Sequence, residues 1–346
     1  MKAKITVIVP IYNVEKYVVK CLKSLSNQTF KDFVVWAVND GSPDNSAQIV
    51  KEYCKKDSRI NLINKTNGGY GSVLQYCIKN IKTKYFLICD PDDWLKENAL
   101  AELYAEALKT EADLVVGEKY DVFVGGNKAY RSSIGYENVI KNIRPTKVYT
   151  SNSDIQLFSF FNTSPHAKLY KTTISKAIKF PSKVSYTDFL LYLVSLTRVK
   201  KIVYLNKPLA YYLQDREGNT FTSKKISKFS DYMIVWFSTY NQINESHQNT
   251  DILKYRLFIQ LKMILNEYSL IVSKPFQDKY GVEIIRALKC LQSSSKCIEE
   301  LSQKYGSVIQ RSVAKHFMNS RKYIKYTCKY VLFLQLKHRI GKYLKR

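Results

Sequence analysis

The chain has 346 residues, 45% of them hydrophobic, with 27 tyrosines and a formal net charge of +26. Length and apolar content exclude a disordered chain and suit one α/β domain plus an appendage or second domain. So positive a charge implies an anionic partner surface: nucleic acid, an acidic bilayer or a phosphate-bearing substrate.

Cys21, Cys54, Cys77, Cys89, Cys290, Cys297 and Cys328 include no CxxC pair. They read as reduced thiols of a cytoplasmic protein, with no zinc site or disulfide framework. Met1-Lys2-Ala3-Lys4 leads only into a short apolar strand, and no apolar run is long enough to span a bilayer. Neither a signal peptide nor a membrane span is therefore expected.

In chain order, the β-branched run Ile5 to Pro10 predicts a central parallel strand covered on both faces. Val14 to Ser26 follows as a helix, with Val18, Cys21, Leu22 and Leu25 on one buried face. A second strand, Phe33 to Val38, ends in the turn-rich Asn39 to Ser46, which leads into a helix over Ala47–Cys54. Ile60 to Ile63 predicts a third strand, the glycine loop Asn67 to Ser72 follows it, and Val73 to Ile81 reads as helical. Tyr85 to Cys89 is a short apolar strand, followed by a helix over Leu95–Lys109 and a strand over Asp113–Gly117. This alternation predicts a parallel sheet with helices on both faces.

The chain turns on YFLICDPDDW, residues 85–94, where Asp90, Asp92 and Asp93 follow the strand. Three acids at the carboxyl end of a strand repel one another unless a cation or a set of donors sits among them. A hard divalent ion shared with a substrate diphosphate would meet that need. A solvated acidic turn capping the next helix is the other reading of these residues. Tyr12, Asp40, Asn67 to Gly71 and Asp90 to Asp93 would all converge on one rim of such a sheet, where open α/β sheets bind ligands. The glycine loop has neither GxGxxG nor the lysine of a P-loop.

Four stretches, VIVPIYNVEKYVVKCLKSLSNQTFKDF, VNDGSPDNS, NGGYGS and LICDPDDW, occur in this order over about 90 residues. Together the sequence resembles the inverting nucleotide-sugar glycosyltransferases of family 2. Weaker resemblance runs through His166–Lys171, Tyr186–Leu196 and Tyr211–Ser223, to about residue 225. It implies a GT-A fold, α/β with a mixed sheet, over 1–225, split into a nucleotide-sugar half (1–117) and an acceptor half (118–225). Residues 226–346 would be a basic α-helical appendage.

Carried over by position, Pro10 and Tyr12 would pack on the nucleobase, and Asp40 would accept from its imide, favouring a uridine donor. Asn67, Gly68, Asp92, Arg216 and Thr220 would complete the nucleotide-sugar site. Asp90, Asp92 and Asp93 would supply the ligands of Mn²⁺ or Mg²⁺. Asp188 would be the base that takes the proton of the acceptor hydroxyl, its pKa raised by the apolar run around it. A helix-capping Asp is the alternative for Asp188 on its own residues. His166 and Lys168 would be acceptor-side or packing residues. The chain departs from the family pattern at Asn39, which replaces a first Asp, at Val73-Leu74-Gln75, which lacks an arginine, and at Thr187, which replaces Glu.

The resemblance implies sugar transfer from a UDP-sugar, with inversion, to a saccharide, lipid-linked, teichoic-type or glycoprotein acceptor in cell-surface polysaccharide or glycoconjugate biosynthesis. A related nucleotidyltransferase is disfavoured, because no lysine-bearing triphosphate loop stands at the amino terminus. A degenerate scaffolding protein that recruits partners through its basic tail is the alternative. From Leu301 to Arg346 there are twelve Lys/Arg and no acid. Lys322, Lys325 and Lys329 lie on one helical face there, with Tyr323, Tyr326, Tyr330 and Phe333 on the next. That pattern suits peripheral association with an anionic inner membrane face, or a homo-oligomer interface. Nucleic acid is not expected as a partner, since no recognition module is present.

Overall fold

The computed structural model describes residues 3–126, 129–131, 136–216, 227–272, 276–306, 311, 314–315 and 320–343. The chain divides into two compact units, Met1–Ser223 and Lys224–Arg346.

The first unit is built on a mixed sheet that has ten strands among the described residues. These are β1 (Ile5–Ile11), β2 (Phe33–Asn39), β3 (Ile60–Asn64), β4 (Tyr85–Ile88), β5 (Trp94–Leu95), β6 (Leu114–Val122), β7 (Ala129–Arg131), β8 (Val148–Tyr149), β9 (Lys168–Lys171) and β10 (Ile202–Leu213). The order across the sheet is β3-β2-β1-β4-β9-β6-β10-β5, with β7 on β6 and β8 on β10. All seven residues of β1 are buried, because parallel neighbours flank it and helices cover both faces. Ile11, Asn39 and Asn64 lie in register, so the carboxyl ends of β1, β2 and β3 form one rim.

Helices α1 (Val18–Ser26), α2 (Ser46–Lys56), α3 (Tyr70–Asn80) and α4 (Ala99–Thr110) connect these strands. The α1 residues Val18, Cys21, Leu22 and Leu25 are buried in one core with Val7, Val9, Leu87, Leu100 and Leu103. Each such aliphatic side chain contributes about 1.5–3 kcal/mol by leaving water. The short helices α5 (Glu137–Ile140), α6 (Asn152–Leu157) and α7 (Thr172–Ser175) precede α8 (Thr187–Leu196), whose residues from Phe189 to Leu196 are all buried.

Three expectations are corrected. The sheet is not parallel throughout: β3 to β4 form one parallel run and β6 pairs parallel with β10, but β9 lies between them antiparallel to both β4 and β6. The helix expected over Leu95–Lys109 begins at Ala99, because Trp94 and Leu95 pair with Tyr211 and Ala210 of β10. Lys96 N–H then donates to the Leu209 carbonyl at 2.9 Å, so this backbone is already spent on the sheet. The first helix starts at Val18 and not Val14, after a turn in which Tyr17 N–H donates to the Val14 carbonyl at 2.9 Å.

The second unit is helical in its described residues: α9 (Ser227–Asn244), α10 (Asp251–Ile271), α11 (Lys279–Cys290), α12 (Ser295–Tyr305) and a last helix, Ser320–Tyr343. Leu257, Leu261, Ile264, Leu265 and Tyr268 bury one side of α10, and Tyr255 is buried on the opposite side. Asp278 caps α11, accepting from the N–H groups of Tyr280 and Gly281. No described helix is long and apolar enough to cross a membrane.

Candidate active site

The rim is assembled by backbone-to-side-chain ties between successive loops. Asn13 N–H donates to Ser42 Oγ at 2.8 Å, Val14 N–H to Ser46 Oγ at 3.1 Å and Glu15 N–H to Asp44 Oδ2 at 2.9 Å. Hydrogen bonds from Ser42, Ser46 and the Glu15 backbone hold the Asp44 carboxyl down at about 2, against the cost of its burial. These ties fix the loop that carries Tyr12, whose side chain stays 51% exposed, while Pro10 is buried within β1.

Asp40 is buried, and its carboxylate accepts from Lys65 Nζ, from Gly68 N–H at 3.0 Å and from Gly69 N–H at 2.7 Å. The glycine loop is in turn docked on the segment that precedes α8. Lys183 N–H donates to the Gly68 carbonyl at 2.7 Å. Gly69 has φ +80°, and a Cβ there would lie 3.1 Å from Lys183 Cα. At Gly71 a Cβ would stand 2.5 Å from the Pro181 carbonyl oxygen, a contact only glycine avoids. Asn67 is exposed beside this loop.

At the end of β4, Asp93 N–H donates to the Asp90 carbonyl at 3.0 Å and closes a tight turn over buried Pro91. Asp90 accepts from Tyr70 OH at 3.0 Å. Asp93 accepts from Leu213 N–H, at the end of β10, at 2.8 Å and shares a 2.6 Å hydrogen bond with His166 Nε2. Because β9 runs antiparallel to β4, its beginning lies beside the end of β4, and this brings His166 to the acids. Ser164 Oγ lies 3.0 Å from the other imidazole nitrogen, and the ring packs on Tyr212 with centroids 4.8 Å apart. One ligand atom from each of Asp90, Asp93 and His166 lies within 4.8 Å of the others. Asp92 faces a different partner: it pairs with Arg216, whose guanidinium sits 5.2 Å from the centre of the Tyr17 ring.

Burial, then the neighbouring carboxylates, pushes Asp90 well above the ordinary carboxyl range, and burial with Asp92 does the same to Asp93. Burial pushes His166 well below its ordinary value, helped by Lys119 and Lys168. A dry cluster of two reluctant carboxylates and a neutral imidazole is one that a bound cation would stabilise. Two hard oxygens and one nitrogen fit a divalent ion such as Mn²⁺.

Asp188 stands in the first turn of α8, and burial raises its carboxyl to about 6, while the backbone N–H groups there and Lys168 pull it down. Its charge is felt by Tyr70, Asp90 and Lys168, which places it on the same side of the site as the acids. Lys168 is buried, donates to the Ser164 carbonyl at 2.5 Å and lies 5.0 Å from the centre of the Tyr192 ring on α8. Burial brings its amine down to about 7.

The structure thus gathers Asp90, Asp93, His166, Lys168 and Asp188, sets Asp92 with Arg216, and sets Asp40 with Gly68. Thr220 lies outside the described residues. Tyr70, Lys65, Ser164 and Lys119 are contributors that sequence reasoning missed. Tyr70 sits inside the NGGYGS motif, where the glycines carry the turn signal, whereas Lys119 carries no local signal.

Residues 6–178 match Glycosyl transferase family 2. The glycosyltransferase GlyA of Streptococcus pneumoniae is 28% identical over 93% of this chain, which spans about half (47%) of GlyA's length. The uncharacterized glycosyltransferase MG025 homolog of Mycoplasma pneumoniae is 31% identical over 69% of this chain and 76% of its own. Among solved structures, residues 1–349 of Staphylococcus aureus TarS in complex with UDP superpose with a TM-score of 0.67 at 23% identity, covering 99% of this chain and 92% of that one. The same TarS fragment has also been solved with UDP-GlcNAc. With its mixed sheet and carboxylate rim, this chain has the GT-A fold and belongs to glycosyl transferase family 2.

Proposed function

We propose that this chain moves a sugar from a UDP-sugar to a hydroxyl of a saccharide-bearing acceptor, with inversion and with the help of a divalent ion. The observation that carries the reading is the joint placement of Asp90, Asp93 and His166 at the end of β4, with Asp188 raised to about 6 within their electrostatic reach.

Tyr12, exposed on a rigid loop, offers a face for the nucleobase. Asp40, held at the rim by Lys65, Gly68 and Gly69, would accept from the imide N–H of a uracil. Asp90, Asp93 and His166 would hold Mn²⁺ or Mg²⁺, which when bound supplies Lewis-acid neutralisation of the departing diphosphate. Arg216, steered by Asp92 and Tyr17, lies beside the same acids and would donate to diphosphate oxygens, with Thr220 near it in sequence. Asp188 would accept the acceptor's proton, and a carboxyl near 6 is largely ionised at neutral pH yet basic enough for that work. Direct attack by the acceptor oxygen, with no covalent sugar–enzyme intermediate, gives inversion.

S. aureus TarS is a poly(ribitol-phosphate) β-N-acetylglucosaminyltransferase. Likeness to it supports a UDP-sugar donor and, among acceptors, an anionic surface polymer.

The test is calorimetric binding of UDP, GDP, CDP and dTDP, with and without Mn²⁺, to wild type and Asp93→Asn. Selective, Mn²⁺-dependent UDP binding that weakens in the variant is expected. Absence of diphosphate binding under every condition would sink the reading and leave a scaffolding protein.

A further inference from the structure

The last helix of the second unit, Ser320–Tyr343, has one face committed to its own unit. Thr327, Val331 and Leu334 are buried, and Gln335 Nε2 donates to the Val272 carbonyl at 2.7 Å. That registration decides which face is left outside. On it stand Leu332, Phe333, Leu336 and Ile340, 52%, 56%, 56% and 50% exposed. At 3.6 residues per turn these four fall within an arc of about 100°.

Single exposed apolar side chains are ordinary, but four on one stripe mark an interaction surface. What borders the stripe identifies the partner. Lys337 and Arg339 are exposed on either side of it, and exposed Lys322, Lys325 and Lys329 continue the same face toward the start of the helix. Residues 320–343 carry seven Lys/Arg and no Asp or Glu. A second copy of this helix would set one cationic row against another, at a cost. A soluble polyanion would satisfy the lysines but leave Leu332, Phe333, Leu336 and Ile340 in water. A bilayer with anionic headgroups satisfies both: the apolar stripe enters the acyl boundary while Lys337 and Arg339 reach back to the phosphates.

We propose that the Leu332/Phe333/Leu336/Ile340 stripe of the last helix, with Lys337 and Arg339 on its flanks, docks this chain on an anionic lipid surface. The proposal stands on the second unit alone, and its test uses no sugar donor, so it fails or survives separately from the transfer reading.

The test is co-sedimentation of the whole chain with vesicles of phosphatidylcholine alone and of phosphatidylcholine with phosphatidylglycerol at three to one. Wild type is expected to bind the anionic vesicles, less so as salt rises, and to ignore the neutral ones. Each basic residue near such a surface is worth about fivefold in binding, so Lys337→Gln with Arg339→Gln should weaken it by about thirtyfold. Phe333→Ser should weaken it at every salt concentration. All three positions are exposed, so helix content by circular dichroism should not change.

Equal binding to neutral vesicles, or unaltered binding by both variants, would overturn the proposal. So would failure of wild type to bind vesicles, whether it instead forms a dimer that Phe333→Ser abolishes or binds polyphosphate with Phe333→Ser at full strength. The first of those alternatives would assign the stripe to self-association, and the second would assign the cations to a soluble polymer.

Discussion

Asp188→Asn should abolish transfer and at the same time make the protein more stable. In the folded chain the Asp188 carboxyl titrates at about 6, against 3.8 for the free group, chiefly because it is buried. A carboxyl whose folded pKa is raised favours the folded state most while protonated. Stability is therefore lost as pH climbs from below 3.8 through 6, and at pH 8 the ionised group costs the fold about 3 kcal/mol, at about 1.4 per tenfold. Asparagine keeps the shape and removes the charge. Its advantage over wild type should be about 3 kcal/mol at pH 8 and shrink to about 1 kcal/mol at pH 4.5. The attraction of Lys168 is already included in the value of about 6. Urea unfolding at the two pH values, followed by tryptophan fluorescence, measures the gap; Trp36 and Trp94 both lie in the first unit. An asparagine variant that is less stable than wild type, or a gap that does not widen with pH, would refute the burial argument. Full turnover by the variant would refute the role as base.

Other outcomes follow from the same geometry. If Asp188 is the base, kcat/KM should rise about tenfold per pH unit below about 6 and level off above it, and a profile flat from pH 5 to 8 would exclude Asp188. His166→Ala removes one of three clustered ligand atoms and should weaken Mn²⁺ binding by at least about tenfold by calorimetry, whereas unchanged affinity would place the ion elsewhere. Gly71→Ala drives a methyl to 2.5 Å from the Pro181 carbonyl oxygen and should cost about 1–3 kcal/mol of stability in urea unfolding. It should also lower kcat, because the displaced segment leads into Asp188, and wild-type kcat and stability would show that the loop and α8 are independent.

The parallel run from β3 to β4 was legible because β1, β2 and β3 each run into a helix that leads to the next strand, and the strand ends then share a rim. The antiparallel insertion of β9 was not, since its direction depends on Tyr85 and Phe86, more than 80 residues before their partners Lys171 and Tyr170. For that reason the contact between His166 and Asp93 is invisible in the sequence. Trp94 and Leu95 look helical in isolation because nothing local reports the strand Ala210–Tyr211 that claims them. The acids themselves stood out, as three carboxylates after a buried strand demand an explanation wherever they occur. Which acid meets which partner was beyond pattern: Asp92 with Arg216 and Asp90 with Tyr70 are matters of side-chain direction.

Asp40 holds the glycine loop by the N–H groups of Gly68 and Gly69 and also pairs with Lys65, and that loop holds the segment leading to α8. A residue with so many structural duties is a poor place for evolution or an engineer to retune donor choice. If Asp40 reads the nucleobase as proposed, a change there that altered the preferred nucleotide would also slacken the segment that leads to Asp188, so new specificity and working chemistry would seldom arrive together. Tyr12, held by its backbone neighbours with its side chain half in solvent, carries no such burden. Divergence in nucleotide preference should therefore accumulate around Tyr12 while Asp40 stays put, and a library aimed at a different donor should start there.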